Sequence, residues 1–575
     1  MSGVIPSKYR QSPGTATAGY YYTYKRLQFG IITGKRHPHH FQHIQFMIAT
    51  GNCKTKPYYA ALATALFLVA LRSGDAATVA AKSGAFTDVS TAIGLAKPGD
   101  IVTVPAGTAS WAATLNITKG ITLQGAGIDR TIIADNVPLS SKTGDASVIN
   151  TTLATGQSFR VTGFTFKAGT RTTKPISGAV INAQGTCFAY RIDHIHFDQP
   201  IDREVHIGGW IYGVIDHCLF DTRAGAFGSI LVQHATWGGG TNNFGDGSWT
   251  EPAYFGSEKF LFIEDNVFNN HGTEQTNGID CYAGGRYVVR HNTFNNCLPL
   301  NHGTESPGRL RGSRAVEIYN NVFKFTTGAT VGQNRGGGAL YHDNTYTGAF
   351  NNSAIALNVF REYYPFHTWA GSAESGANGN NRWDANDSHG LYASGTHTGG
   401  NGAGTLIDKT KNWVPNQWVG YSITNTTQTL SNGDHYNSYI TANTANTITF
   451  HVDSTIGAGS AGTAMTFNTG NGYAIYKVLI ALDQPGRGKG DLLAGNPPVN
   501  KAAGGIAWPN QALEPVYCWN NTVNGSPVTV SSTHPTLREN RDYYNGPMPN
   551  YKPYTYPHPL TGPAPPTNLA VVSGQ

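Results

Sequence analysis

The chain has 575 residues, of which 70 are glycine and only 4 are methionine, and 13% are charged. Its net charge of +6 is unevenly placed, because residues 1–46 carry six lysine and arginine residues and no acidic one, while residues 77–575 sum to −2. A body so close to neutral excludes a global electrostatic signal for nucleic acid or for a membrane surface. The high glycine content suits a chain with many tight turns.

The first 76 residues are typical of a leader rather than of a folded domain. Lys54 and Lys56 precede an apolar run of 14 residues at 58–71, which is short for a membrane span but typical of a secretory signal peptide. We therefore interpret 47–76 as a signal peptide and 1–46 as an over-extended gene start. The expected location is extracellular or periplasmic, as a secreted protein, and no later segment is apolar enough to span a membrane.

A short helix and two strands are predicted next. Residues 87–96 have the apolar spacing of a helix, and the alternating segments 101–108 and 121–127 follow it. In a stacked solenoid, such a helix covers the open end of the first coil, where apolar side chains and unpaired strand edges would otherwise meet water. We expect this helix to be an N-terminal cap.

A six-residue phrase recurs through the middle of the chain: aliphatic, variable, polar, Asn-like, variable, aromatic. Its spacing, 23 residues from Phe197 to Phe220 and 29 from Phe294 to Phe323, indicates a solenoid with one coil per repeat. Apolar and polar residues alternate within each copy, which is the period of a strand. The copies occupy 161–166, 192–197, 215–220, 263–268, 289–294 and 318–323, with looser ones at 341–346 and 518–523.

Five asparagines of these copies are predicted to stack into a ladder, because successive coils would place them above one another. They are Asn266, Asn292, Asn321, Asn344 and Asn521. Asparagine tolerates left-handed backbone angles and bonds to nearby backbone, so we interpret the ladder as holding turns and not as chemistry. With these repeats the chain resembles a right-handed parallel β-helix of the pectate-lyase-like superfamily. The resemblance covers about 85–390 and returns at about 505–535.

The resemblance implies an all-β solenoid with an interruption. Residues 397–478 break the coil pattern, and their segments around Trp413 and Trp418 are similar to a small all-β module found inserted in extracellular proteins. We expect both tryptophans to be core residues of that module, with stacking on sugar rings as the alternative. The predicted parts are the β-helix at 77–396, the module at 397–478, the return to the β-helix with a C-terminal cap at 479–560, and a Pro-rich tail at 561–575.

Five cysteines follow the predicted signal peptide, at strand-like positions. They are Cys187, Cys218, Cys281, Cys297 and Cys518. An odd number without close spacing indicates small buried residues rather than a disulfide framework or a zinc site.

A second row of polar residues precedes the repeated phrase, and alternation predicts that its side chains point outward on one sheet. Its members are His206, Gln233, Asp280, His302, and Gln333 or Arg335. A stripe of such groups along an extended sheet suits an extended polymer, although a solvated sheet face has the same pattern. We assign substrate binding to His206, Gln233, Gln333 and Arg335.

The densest charge cluster spans 302–314. Its charged residues are His302, Glu305, Arg309, Arg311 and Arg314. The order resembles the pectate lyase motif Arg-x-Pro-Arg-x-Arg-x-Gly that precedes an Asn-Asn coil, with Pro307, Arg309 and Arg311 at motif positions and an insertion at Gly308. Glu305 stands where the family has its catalytic arginine.

These groups favour chemistry on an acidic sugar polymer. Removing a proton beside a carboxylate requires that the carboxylate be neutralised and that a base reach the carbon, and arginine supplies bidentate charge for carboxylates. We predict a polysaccharide lyase that cleaves a uronate polymer by β-elimination. The predicted catalytic residues are His302, Arg309, Arg311, Arg314, Asp280 and Glu305. Two alternatives stay open: a glycoside hydrolase with paired carboxylates, and a non-catalytic extracellular glycan-binding or adhesin-like protein.

The sequence predicts no certain cofactor, and calcium is the one candidate. Carboxylates at Asp216, Asp221 or Asp265 offer oxygen ligands for calcium, but no calcium-loop spacing accompanies them. The expected partner is an extracellular polysaccharide, with no nucleic acid and no membrane span, and the expected state is a monomer.

Overall fold

The computed structural model is nearly all β-structure. It describes residues 76–139, 145–173, 177–224, 228–239, 244–271, 276–303, 310–357, 391–419, 421–429, 435–450, 465–476, 483–490, 492–494, 499–500, 511–532 and 537–562. Its helices are Phe86–Leu95 and Asp246–Trp249, with 3₁₀ turns at Trp237–Gly239 and Pro559–Thr561. No helix in these residues is long and apolar enough to cross a membrane.

The main body is a parallel β-helix with three sheets. The first sheet precedes the Asn turn, the second follows it, and the third leads back to the next coil. The first contains Thr78–Ala80, Ile101–Thr103, Thr122–Gln124, Trp210–Asp216, Leu261–Glu264, Arg286–Arg290, Ala315–Tyr319, Gly338–His342, Val516–Trp519 and Tyr543–Tyr544. The second contains Gly107–Trp111, Thr131–Asp135, Leu219–Thr222, Val267–Asn270, Thr293–Asn295 and Asn521–Val523. The third contains Leu115–Ile117, Ile149–Leu153, Val205–Ile207, Ile230–Gln233, Thr276–Tyr282, Cys297–Asn301 and Val530–Ser531.

Four long strands bend from one sheet into the next. They are Ser158–Ala168, Ile181–Asp198, Val322–Asn334 and Thr345–Leu357. Two short pairs accompany the coils, Asp145–Ala146 with Ser177–Gly178 and Ser526–Val528 with Asn521–Val523. Coils pair in parallel and in matched register, as in Ile215 beside Ile263. This register repeats every side chain's direction from coil to coil, so inward and outward rows run the length of the solenoid.

The interior is built from aligned rows of like side chains. The aromatic residue of each repeat stacks on the next, with ring centroids 4.5 Å apart for Phe220 and Phe268 and 4.4 Å for Phe268 and Phe294. The row continues through Phe323 to Tyr346, and all of these rings are buried. The predicted N-terminal helix is confirmed at Phe86–Leu95 and buries Val89, Ala92 and Ile93. The five cysteines of the body are buried and unbridged.

The asparagine ladder is confirmed. Asn292 Oδ1 accepts from the backbone N–H of Asn266 at 2.9 Å, and Asn292 Nδ2 donates to the carbonyls of Ile263 and Arg290 at 2.8 and 2.9 Å. The same pattern continues through Asn321, Asn344 and Asn521. The left-handed backbone angle falls one residue earlier than the ladder, for example at His291 with φ 58°. The ladder asparagine therefore bonds the turn that its neighbour makes.

We expect Asn292→Ala to destabilise the coils strongly. The change removes the partners of one buried N–H and two buried carbonyls, and each group left unsatisfied costs about 1–3 kcal/mol. Chemical denaturation should show a loss of roughly 3 kcal/mol or more. Asn295→Ala in the same coil is the control, because Asn295 lies on the partly exposed outer face and bonds one side chain, that of Asn269. Equal losses in the two variants would contradict this account of the ladder.

A C-terminal segment covers the outer face of the first sheet. Arg290 donates to the carbonyls of Tyr554 and Thr555 at 2.7 and 2.8 Å, and the N–H of His558 donates to Glu264 at 2.7 Å. Farther along the sheet, the Tyr551 hydroxyl bonds Glu317. This segment buries a sheet face that would otherwise be open to solvent.

The contact with Glu317 gives a pH dependence. Burial raises the pKa of the Glu317 carboxyl from 4.5 to about 7, against opposing hydrogen bonds from Tyr551 and the Gly256 N–H. The unfolded chain therefore releases this proton first, so stability present below pH 4.5 is lost as the pH rises towards about 7. Glu317→Gln should remove that loss, up to roughly 3 kcal/mol. Melting temperatures across this pH range test it, with the exposed Glu258→Gln as control; a parallel decline in wild type and Glu317→Gln would contradict it.

A second, antiparallel structure is inserted in the sequence between two coils of the β-helix that pair directly with each other. Its strands are Leu391–Thr396, Gly402–Ala403, Thr405–Ile407, Ser422–Thr429, His435–Asn443, Thr447–Phe450, Thr466–Phe467 and Gly472–Tyr476. Trp413 and Trp418 lie in its own apolar core at 9% and 8% exposure, together with Leu406, Ile448 and Phe467. Both tryptophans are therefore packing residues in this structure. The small pairs Arg487–Gly488 with Ala512–Leu513 and Leu493–Ala494 with Val499–Asn500 follow it.

Candidate active site on the third sheet

The outer face of the third sheet carries polar side chains on successive coils, with Leu231 between His206 and Asp280 in register. At its N-terminal end, Asn150 Nδ2 donates to Asn116 at 3.1 Å, Asn182 Nδ2 to Asn150 at 2.9 Å, and Gln184 Nε2 to Asn182 at 3.0 Å. Strand register places His206 beside Asn182 on the next coil. We use the name polar stripe for Asn116, Asn150, Asn182, Gln184, His206, Gln233, Asp280, Tyr282, His302 and Arg335.

Three of the predicted residues converge at the far end of this stripe. His302 Nε2 lies 3.0 Å from Asp280 Oδ1 and 2.9 Å from Arg335 Nη2. Asp280 is mostly buried and also accepts the N–H of Cys281 at 2.8 Å. A ring nitrogen held between a carboxylate and a guanidinium is fixed in place and can exchange a proton with its surroundings.

A tyrosine completes this cluster and links it to the rest of the stripe. Tyr282 alternates with Asp280 along its strand, and its ring lies 5.8 Å from that of His302, edge to face. Tyr282 lies beside Gln233 in strand register, and Gln233 Oε1 lies 3.0 Å from His206 Nε2. Neighbouring polar side chains of four successive coils therefore lie along one line, from His206 to His302.

The pKa values of Asp280 and Tyr282 are shifted in opposite directions by their surroundings. Burial opposes ionisation of Asp280, but the hydrogen bond and charge of His302, with Arg203 and Arg335 farther away, hold its pKa below the ordinary value. Burial, and then the Asp280 carboxylate, raises the pKa of Tyr282 above its ordinary value. Asp280 is therefore a carboxylate and Tyr282 a protonated hydroxyl at neutral pH.

Glycines allow the backbone to close tightly behind His302. A Cβ at Gly336 would lie 2.8 Å from the carbonyl oxygen of His302, and one at Gly312 would lie 3.0 Å from the same atom. Only glycine permits these approaches without movement of the backbone. The chain around 303, 312 and 336 therefore fixes the position of His302.

Two arginines that the sequence assigned to catalysis lie behind the site in buried ion pairs. Arg311 is fully buried and binds Asp483 in a bidentate pair at 2.8 and 2.9 Å and Asp246 at 3.0 Å. Arg314, also fully buried, binds Glu514 at 2.7 and 2.8 Å. These contacts brace the coil against the segments that return after the antiparallel structure, so neither guanidinium faces the outer surface of the sheet.

The other predicted residues divide into several groups. Glu305 and Arg309 lie outside the described residues. Gln333 lies in the strand Val322–Asn334, paired in register with Leu300.

Tyr282 was missed by sequence reasoning, although its alternation with Asp280 signalled it.

The carboxylates considered for calcium are engaged by neighbouring side chains. Asp216 pairs with Arg191 at 2.7 Å, Asp221 lies 2.9 Å from His196, and Asp265 accepts from the Tyr556 hydroxyl at 2.8 Å. Among the residues that the structure describes, no group of three or more His, Cys, Asp or Glu could hold a metal ion.

Comparisons with known proteins give structural similarities and no sequence match. No family model matches the chain, and no curated protein sequence matches it. An alginate lyase from Paenibacillus sp. str. FPU-7 is 16% identical, with 48% of this chain and 89% of that chain covered and a TM-score of 0.26. ORF18 of Geobacillus virus E2 is 12% identical, with 54% and 63% covered and a TM-score of 0.30. The PL6 family alginate lyase AlyGC is 16% identical, with 49% and 45% covered and a TM-score of 0.24. Scores this low define no activity for this chain.

Proposed function

We propose that this protein is a secreted polysaccharide lyase that cleaves an acidic uronate polymer by β-elimination at the polar stripe. The observation that carries the proposal is the cluster of Asp280, His302, Arg335 and Tyr282 on an outward sheet face. It supplies a held imidazole, a protonated hydroxyl and a guanidinium within one small area. The amides and imidazole farther along the stripe offer hydrogen bonds to the hydroxyl groups of a bound polymer.

Each group takes a role that its surroundings favour. Arg335 neutralises the uronate carboxylate, which acidifies the neighbouring carbon–hydrogen bond. When the Arg335 guanidinium turns from Nε2 of His302 to the uronate carboxylate, Nε2–H is donated to Asp280, and Nδ1 is left as the proton acceptor. His302 removes the proton from C5 of the sugar, and the electrons of the C5–H bond form the C4–C5 double bond. The C4–oxygen bond then breaks, and Tyr282 protonates the leaving oxygen. No water is consumed in this step.

This assignment moves the predicted chemistry from the charged segment 302–314 to the outer face of the third sheet. Arg311 and Arg314 become bracing residues, because their charges are already neutralised by Asp483 and Glu514. Asp280 becomes a positioning residue for His302. His302 stays a catalytic residue, as the sequence predicts.

The proposal is tested with alginate, polygalacturonate and a neutral glucan as substrates. A lyase produces ultraviolet-absorbing unsaturated ends from an acidic polymer and nothing from the neutral one. New reducing ends without that absorbance would support the glycoside hydrolase alternative. Binding without cleavage would support the non-catalytic alternative, and either result would reject the lyase.

A further inference from the structure

Four aromatic rings form a built surface beside the polar stripe, which we call the aromatic shelf: Phe188, Trp210, Tyr212 and Trp237. Phe188 stacks on Tyr212 with ring centroids 4.6 Å apart and meets Trp210 edge to face at 5.0 Å. Trp237 packs against Trp210 at 5.5 Å and Tyr212 at 5.4 Å. Together the rings form one connected cluster.

Two rings of the aromatic shelf are buried against the protein, and Phe188 is exposed to solvent. Tyr212 and Trp237 are 7% and 5% exposed, the Trp210 N–H donates to the Tyr212 hydroxyl at 3.0 Å, and the Arg286 guanidinium lies over Trp237 at 4.5 Å. Phe188 is 37% exposed. A single exposed ring is ordinary on a protein surface, but one fixed on a rigid aromatic layer presents a preformed flat face.

A β-bulge directs Phe188 to this position. The pairing of Ile181–Asp198 with Trp210–Asp216 shifts by one residue between Cys187 and Tyr190, so Phe188 lies in the extra residue pair. Bulges bend a strand locally and redirect a side chain. The exposure of Phe188 therefore follows from the backbone and not from a loosely placed side chain.

The shelf has a fixed relation to the polar stripe. Strand register extends the row from Gln184 through Gly208 to Gln233, and Phe188, Trp210 and Trp237 follow these residues by four, two and four positions. Between His206 and Trp210, Gly208 has no side chain, and a Cβ there would lie 2.2 Å from Gln184 Nε2. The amide of Gln184 therefore occupies the space over Gly208 and lies beside the rings.

We infer that the aromatic shelf is a distal subsite that binds one sugar ring of the polymer by its apolar C–H face. The inference rests on the proposed function for its polymer. An aromatic plane beside an amide matches a pyranose, which has apolar faces and hydroxyl groups at its edge. Four extended residues span about 13 Å and three coils about 14 Å, which puts Phe188 about 20 Å from the Tyr282 cluster. Several sugar units are needed to reach both.

The separation predicts a dependence on substrate length. Phe188→Ala should raise the KM for a long uronate polymer about tenfold, equal to ~1.4 kcal/mol, with kcat unchanged. It should leave the kinetics of disaccharides and trisaccharides unchanged, because these do not extend from the Tyr282 cluster to Phe188. Phe188→Tyr should retain the wild-type KM, because it keeps the ring. The control is Tyr392→Ala, an aromatic residue 43% exposed in the antiparallel structure.

Affinity electrophoresis in gels containing alginate or polygalacturonate separates this inference from the lyase reaction. Retardation of wild type that weakens in Phe188→Ala supports the shelf even when no unsaturated product forms. Unchanged polymer KM and unchanged retardation in Phe188→Ala would overturn the shelf while leaving the lyase in place. A wild-type protein that neither binds nor cleaves either polymer would overturn both.

Discussion

We expect His302→Ala to lower the rate of polymer cleavage about a thousandfold without unfolding the protein. Acid–base groups contribute about 10²–10⁴ to a rate, and His302 is the imidazole that Asp280 and Arg335 hold on the outer face. Its side chain is 21% exposed, so its loss leaves no large cavity. Turnover of the cleaved polymer and the melting temperature should be measured on the same samples.

A matched histidine separates catalysis from general surface effects. His271 is 45% exposed, directly follows the second-sheet strand Val267–Asn270, and also contacts a carboxylate, that of Asp221 at 3.1 Å. His271→Ala should retain wild-type turnover. Asp280→Asn should shift the pH profile of kcat, because it alters the group that orients His302. Full activity in His302→Ala would remove the site from this part of the stripe.

We expect Arg311→Ala to cost about 3–5 kcal/mol of stability. The change leaves the buried carboxylates of Asp483 and Asp246 without their shared cation, and a broken buried ion pair costs about that much. The guanidinium also lies over the Trp249 ring at 5.0 Å, so packing is lost as well. Chemical denaturation measures the change in free energy of unfolding.

The same variant decides between bracing and catalysis. Below its lowered unfolding transition, Arg311→Ala should retain kcat within a few fold, because Arg311 faces away from the polar stripe. The exposed Arg130→Ala is the control and should change neither quantity. A large fall in kcat with normal stability would return Arg311 to the reaction, as the sequence motif first indicated.

The solenoid could be predicted from the sequence because each repeat carries the residues that form its own coil and stack on the next one. Stacked phenylalanines and the asparagine ladder follow from the spacing of the aromatic residue and the Asn in each copy. The C-terminal segment over the first sheet could not be predicted. Arg290 binds it through the carbonyls of Tyr554 and Thr555, and a carbonyl is supplied by any residue.

The site was only partly predictable for a related reason. Strand alternation was sufficient to place Asp280 and His302 on one outward face. The same reasoning could not assign Arg311 and Arg314, because their partners Asp483 and Glu514 lie 172 and 200 residues away in the chain. A charge-rich loop resembles a binding site until such partners are known.

The most direct test of the central claim is the mass of the products formed in ¹⁸O-labelled water. Elimination breaks the C4–oxygen bond without water, so products of alginate or polygalacturonate should carry a double bond and no ¹⁸O from the cleavage step. The same products should be absent with His302→Ala. Incorporation of one ¹⁸O per cleavage, with saturated ends, would show hydrolysis and contradict the account.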